Sequence, residues 1–217
     1  MSIPDPNLAA LGQLEPRQLL ELLDQLDPTD HLIAELDIDA VLGTLDPGKL
    51  NREELVHLVS RLNELAAAGA DLDLSKASPQ NFARLVTRAS KDQIEGLLSQ
   101  PQLRGRILDE IFRRMTDHYR SERAASVKAV VHWRLTGGSD EGGYDRYESI
   151  MENGTCDAHH ERTREPRVTV TLNPADFLKL VTSNASAPML FLTGKLKVKG
   201  DLAFAAGMVG LFDLPRA

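Results

Sequence analysis

The chain has 217 residues, 42% of them hydrophobic and 26% charged, with a formal net charge of −7. That composition belongs to an ordinary globular protein long enough for one large or two small domains, and no apolar run approaches the roughly 18 residues that a membrane-spanning helix needs. The acidity is lopsided, with 8 Lys/Arg against 17 Asp/Glu in residues 1–103 and 17 against 15 in residues 104–217, and an acidic front half argues against nucleic acid, whose binding comes mainly from cations neutralising phosphates.

The opening Met-Ser-Ile-Pro-Asp-Pro-Asn has neither the basic nor the apolar region of a secretory leader. The closing Pro-Arg-Ala is no peroxisomal address. A single cysteine, Cys156, precludes an internal disulfide and fits a reducing compartment, so the expected location is the cytoplasm.

Residues 1–103 carry helical spacing and little strand signal. Leu19, Leu22, Leu23 and Leu26 follow Pro16; Leu55, Leu58, Val59 and Leu62 follow Asn51; Phe82, Leu85, Val86 and Ala89 follow Pro79. Asn51 three residues before Glu54 resembles a capping box, and Ser78-Pro79 reads as an N-cap with proline at the first helical position. The shared Leu-x-x-Leu-Leu-like pattern is better explained by amphipathic helices than by a repeat, because its spacing is uneven. Chain reversals are expected at Asp27-Pro28, at Asp46-Pro47-Gly48 and from Gly69 to Ser78, which implies a helical bundle. A further helix, about Gly105 to Tyr119, places Ile107, Leu108, Ile111, Phe112 and Met115 on one side.

From Val127 the period changes to two. Val127, Ala129, Val131, Trp133 and Leu135 alternate with polar residues, as in a half-buried strand. The glycine-rich run 137–143 lacks the Gly-Lys-Ser/Thr of a phosphate loop and reads as a hairpin into a second strand, Tyr144 to Glu152. Asn153-Gly154 turns the chain into a third strand, Cys156 to Arg162, and Val168, Val170 and Leu172 share one face of a fourth, so that an antiparallel meander is expected. Asn173-Pro174 opens a helix with Phe177, Leu180 and Val181 inward. A fifth strand, Gly194 to Gly200, alternates Leu196 and Val198 with Lys195, Lys197 and Lys199. Asp201 then caps an uncharged apolar run, Leu202 to Phe212.

The string Asp176-Phe177-Leu178-Lys179-Leu180-Val181, followed by Phe191-Leu192-Thr193-Gly194-Lys195-Leu196-Lys197-Val198-Lys199-Gly200-Asp201, resembles the signature of the sterol carrier protein 2 family, and the order of elements from about residue 104 resembles that family's whole domain. The resemblance covers roughly half the chain. It implies, for residues 104–217, a five-stranded, mostly antiparallel mixed sheet covered by helices; with the acidic all-helical region read from spacing over 1–103, which lies outside the resemblance, the expected fold class is α+β. It also implies a hydrophobic tunnel for sterols, fatty acids or acyl-CoA esters.

The residues suit that role. In Leu202–Phe212, the small Ala203, Ala205, Ala206, Gly207 and Gly210 leave volume that a dense core would fill, while Leu202, Phe204, Met208, Leu211 and Phe212 supply an apolar wall. Trp133, Phe177, Leu180, Val181, Met189, Phe191, Leu196 and Val198 complete the candidate lining. The three lysines of the fifth strand read first as a solvated edge that deters strand pairing, and second as a meeting point for an anionic head group, CoA phosphates or a membrane surface.

Cys156, His159, His160 and His132 are of metal-ligating type, but on a strand His159 and His160 point to opposite faces, so no compact site is expected. A Cys–His nucleophile lacks an orienting third group. The expected protein is therefore a non-enzymatic lipid binder and carrier, without metal or cofactor, whose front half binds a partner or self-associates. Two other classes remain open: a regulatory scaffold with a collapsed cavity, and an acyl-CoA-processing enzyme using Cys156 or a histidine.

Overall fold

The computed structural model describes residues 14–27, 37–68 and 76–214. The chain reversals expected at Pro28 and over residues 69–75, and the readings of the first seven and last three residues, lie outside them. The chain divides into two compact units at Arg106 and Ile107.

In the first unit, helix α1 spans Pro16–Gln25, α2 Ile38–Thr44, α3 Arg52–Ala67, α4 Pro79–Arg88 and α5 Lys91–Leu98. Capping chemistry sets the starts. The Asn51 side chain accepts from the Glu54 N–H while the Glu54 carboxylate accepts from the Asn51 N–H, and Ser90 and Gln93 repeat the arrangement on α5. Leu19, Leu23, Leu55, Leu58, Leu62 and Leu65 meet Ile38, Val41 and Leu42 in one buried cluster, each such side chain stabilising by about 1.5–3 kcal/mol. Helices α2 and α5 were not foreseen from periodicity, being only two turns long. The buried amide of Gln93 ties α5 to the Asp46–Leu50 turn by donating to the carbonyls of Pro47 and Leu50, both at 2.8 Å.

Helix α6, Pro101–Asp117, starts a turn earlier than its apolar pattern suggested and contains the boundary between units. The second unit continues with a short helix α7, Ser121–Ala124, and strands β1 Ala129–Asp140, β2 Tyr144–Glu152, β3 Thr155–His159 and β4 Val168–Leu172. Helices α8, Pro174–Val181, and α9, Ala187–Leu192, lead to β5, Leu196–Gly200, and to α10, Leu202–Met208. The strand order is β3-β2-β1-β4-β5, so the fold is α+β with a five-stranded mixed sheet.

Two expectations are corrected. The meander stops at β3: β4 crosses over to pair parallel with β1, Trp133 opposite Val170, rather than antiparallel with its predecessor. That placement makes β4 an interior strand between β1 and β5, with Val168, Thr169, Val170 and Leu172 all buried. The terminal apolar segment is also not one helix. It tightens after Met208 into a 3₁₀ turn, Val209–Leu211, where Gly207 and Gly210 weaken the α-helix.

The turns follow their residues. Asn153 and Gly154 both take positive φ, 55° and 77°, as a two-residue hairpin requires. Gly200 ends β5 at φ 108°, where a Cβ would collide with the Arg167 carbonyl oxygen.

Candidate functional site

One face of the sheet carries Ala129, Val131, Trp133 and Leu135 of β1, with Tyr147, Ser149 and Met151 of β2, Val168, Val170 and Leu172 of β4, and Leu196 and Val198 of β5 in register beside them. Helices α6 and α8 pack on it through aromatic contacts, stacked for Phe112 on Tyr147 and tilted for Phe177. Phe112 lies 3.9 Å from the Tyr147 ring and 5.2 Å from Phe177, which in turn lies 5.3 Å from Trp133.

On the same face lies an apolar pocket of about 280 Å³, near the lower end of the roughly 300–1,000 Å³ usual for small-molecule sites. Its floor is Trp133, Val170, Leu196 and Val198, and α8 adds Phe177, Leu180 and Val181. Phe191 of α9, then Leu202, Met208 and Phe212, form the far wall. All of these except Val170 were candidates from sequence. Three other candidates stand elsewhere. Met189 is on the outer side of α9 and 59% exposed; the Phe204 ring lies under the Arg167 guanidinium, 4.5 Å from its centroid; and Leu211 lies in the 3₁₀ turn, where its carbonyl accepts from the Arg120 N–H at 2.8 Å.

The wall also includes Met115, Ala187, Pro188, Ala205, Ala206, Val209 and Leu214. Met115 had a signal, because it belongs to the inward stripe of α6. Val170 was legible only as an inward residue of its strand; its place between Trp133 and Val198 in one row across the sheet comes from the strand pairing. Ala187 and Pro188 belong to a six-residue helix too short to show a period, although Ser186, whose hydroxyl accepts from the Met189 N–H, marks its start. Gly207 was expected to yield space; it is exposed, and a Cβ there would meet nothing within 4 Å.

No lining residue carries a free polar side-chain group. The only polar side-chain hydrogen among them, the Trp133 indole N–H, is donated to Ser149 Oγ at 2.9 Å in a buried bond. The opening is defined by lining residues that are themselves exposed: Pro188 and Phe191 of α9, and Leu202 and Ala206 of α10.

The residues of metal-binding and nucleophilic type are kept apart. Cys156 is buried on the helix side of the sheet, and burial, with the charge of Asp157, pushes its thiol up to about 12, so it is protonated at neutral pH. His160 lies past the end of β3, against the Tyr147 ring and 2.9 Å from Asp109 Oδ1. The phenol of Tyr147 donates to that same oxygen at 2.6 Å and is pushed well above its usual range by burial and by the Asp109 hydrogen bond and charge. His132 and His159 lie on the opposite face of the sheet, where His132 Nε2 is 2.9 Å and His159 Nε2 3.7 Å from the fully buried Glu148 carboxylate.

That carboxylate is a structural staple. It accepts from the Thr163 hydroxyl at 2.8 Å, from the Thr163 and Arg164 N–H groups at 3.1 Å, and from His132. His132 Nε2 also faces the Arg164 carbonyl at 3.0 Å, and two acceptors require that this nitrogen carry the hydrogen. Burial alone would raise the Glu148 pKa; the donors from Thr163, Arg164 and His132 overcome it and hold the group at about 2. Among the described residues, no group of three or more His, Cys, Asp or Glu is placed to hold a metal ion, and no helix is long and apolar enough to cross a membrane.

Residues 108–213 match the model of the SCP-2 sterol transfer family. Hydroxysteroid dehydrogenase-like protein 2 of Homo sapiens is 27% identical over 119 residues, which are 55% of this chain and 28% of that relative; this chain therefore spans under a third of that protein. Among solved structures, sterol carrier protein 2 from Yarrowia lipolytica is similar over 48% of this chain and 85% of its own, with 26% identity and a TM-score of 0.39. The inverting sec-alkylsulfatase from Pseudomonas sp. is similar over 97% of this chain and 33% of its own, with 14% identity and a TM-score of 0.43.

Proposed function

We propose, from the premise that the C-terminal half is a domain of the SCP-2 sterol transfer family, that this protein binds a lipid in the pocket beneath α9 and α10 and carries it without chemical change. The observation that carries the reading is the pocket's chemistry. Its lining side chains are apolar, the one indole N–H among them is already satisfied, and it opens to solvent along an apolar rim. A hydrocarbon chain loses nothing there, whereas a buried hydroxyl or carboxylate would find no partner, at a cost of about 1–3 kcal/mol or more. The ligand's polar head therefore stays at the opening.

The magnitudes allow useful affinity. Each buried methylene contributes about 0.8 kcal/mol, so a chain of roughly sixteen carbons gains on the order of 12 kcal/mol before association costs of about 4–15 kcal/mol are set against it. Long acyl chains, as fatty acids or acyl esters, fit this arithmetic best, and a sterol is the alternative. A catalytic reading has less support, because the thiol of Cys156 is buried and protonated and no histidine faces the pocket. The acidic helical unit acts, in this reading, as a docking or self-association module, and a cytoplasmic location fits the single buried thiol.

Native mass spectrometry of the purified protein, with lipid extraction, tests the proposal. A mass increment that extracts as one lipid class supports it. A protein that is empty as isolated and remains so after incubation with palmitate, oleoyl-CoA and cholesterol contradicts it.

A further inference from the structure

The face of the sheet turned away from the pocket carries the side chains of the other parity. Register places Arg146 of β2 directly opposite Arg134 of β1, Arg134 opposite Thr171 of β4, and Thr171 opposite Lys197 of β5, in one row across four strands; the next row runs through Glu148, His132, Thr169 and Lys199. With neighbouring strands about 4.7–4.9 Å apart, the first row is about 14 Å long. Lys197 and Lys199 are exposed, and Arg134 and Arg146 are half-buried.

Little neutralises these cations. Among the described residues Arg134, Lys197 and Lys199 have no carboxylate partner, and the acid beside Arg146 is Glu141, 3.7 Å away and 88% exposed. The other acids of this face are engaged or distant. Glu148 is held in its staple, Glu152 by Arg164 at 2.9 Å and Asp201 by Arg167 at 2.8 Å, while Asp157 is on β3, at the opposite edge of the sheet from Lys197. Two arginines directly opposite each other on paired strands repel, which costs stability, and proteins keep such local conflicts where function needs them. The Tyr144 ring, 6.0 Å from the Arg134 guanidinium and 5.9 Å from that of Arg146, offsets part of the repulsion.

We infer that this face docks an acidic helix of a partner protein, whose carboxylates seat on the row from Arg146 to Lys197, with the arginines gripping them in bidentate fashion. Carboxylates three or four residues apart on a helix lie about 5–6 Å from one another, close to the strand spacing. The same chemistry disfavours other anionic occupants. A membrane takes up apolar side chains, and the strongly exposed large ones, Met189, Phe191, Leu192 and Leu202, belong to α9 and α10 on the other face. A nucleic-acid strand needs rings free to stack on its bases and a longer track of cations, and Tyr144 is already engaged by both guanidiniums. The inference does not depend on the lipid-carrying reading, because the face shares no residue with the pocket.

The test is fluorescence anisotropy of a labelled helical peptide with glutamate on every turn, and of its glutamine counterpart, titrated with the full chain at low ionic strength. The glutamate peptide is expected to bind and to be released by salt, and the glutamine peptide not to bind. Arg134→Gln and Lys197→Gln should each weaken binding about two- to fivefold, and the double reversal R134E and K197E should abolish it. Lys91→Glu, an exposed reversal in the helical unit, should leave it unchanged. Circular dichroism checks each variant's fold, and should the double reversal unfold, the two single variants carry the test. No binding of the glutamate peptide, or equal binding by wild type and the Arg134 and Lys197 variants, overturns the docking surface. Tighter binding of a single-stranded oligonucleotide of the same charge, lost in the same variants, would assign the face to nucleic acid. A salt-sensitive dimer that the variants make monomeric would assign it to a second copy. Either result overturns the separate acidic partner.

Discussion

The indole N–H of Trp133 and the hydroxyl of Ser149 are hydrogen-bonded at 2.9 Å across neighbouring strands, and Ser149 is 1% exposed. This pair keeps the only polar side-chain hydrogen of the pocket floor turned into the protein. Ser149→Ala should therefore destabilise the fold by about 1–3 kcal/mol through the orphaned N–H, measured by urea denaturation; a loss below about 0.5 kcal/mol would mean that the indole has another partner.

Glu148 predicts the acid response. Its carboxyl is held at about 2 against an ordinary 4.5, so the folded state prefers the charged form. That stabilisation is complete above about pH 4.5 and is lost as pH falls toward 2. His132, His159 and the Thr163–Arg164 segment face the group, and Glu148→Gln, which keeps the shape and loses the charge, should cost on the order of 2–4 kcal/mol at pH 7 and flatten the stability profile between pH 2 and 4.5. A profile unchanged by the substitution would contradict the staple.

The buried thiol of Cys156 should react slowly. With its pKa pushed up to about 12 by burial and by Asp157, labelling by a disulfide reagent at pH 8 should be much slower in the native protein than in denaturant. Cys156→Ala should leave lipid binding intact. Fast native labelling, or acyl-CoA hydrolysis that the substitution abolishes, would favour the enzymatic reading.

Gly200 cannot accept a side chain. At φ 108°, with the Arg167 carbonyl in the position a Cβ would take, Gly200→Ala should cost about 1–3 kcal/mol in thermal or urea melts. At Gly207, where nothing lies within 4 Å, alanine should be neutral or stabilising by up to about 1 kcal/mol.

Much of this architecture was legible because two periods are easily told apart. The Trp133 and Leu135 alternation, the Asn153-Gly154 turn and the Asn173-Pro174 helix start each follow from local chemistry. What pairs with what does not. The parallel partnership of Val170 with Trp133 depends on a crossover that no local pattern encodes, and it alone placed Val170 in the pocket floor. Short elements were equally opaque: α9 is six residues long, so Met189 and Phe191 could be named as apolar but not assigned to opposite sides of a helix, one facing solvent and one at the pocket opening. Phe204 was counted with the wall because its neighbours Leu202 and Met208 belong there; the pull of the Arg167 guanidinium on its ring is a tertiary contact invisible in spacing.

The account rests on a hydrocarbon chain occupying the space above Trp133, the chain's single tryptophan. Titration with a fatty acid carrying bromine on its acyl chain measures this directly, because quenching requires contact with that ring. The prediction is saturable quenching at one ligand per protein, weakened at least about tenfold in Ala205→Phe, which fills the pocket at a stability cost of about 1–3 kcal/mol. Absence of quenching at ligand concentrations that saturate the protein by an independent binding assay, or equal quenching in Ala205→Phe, would contradict it.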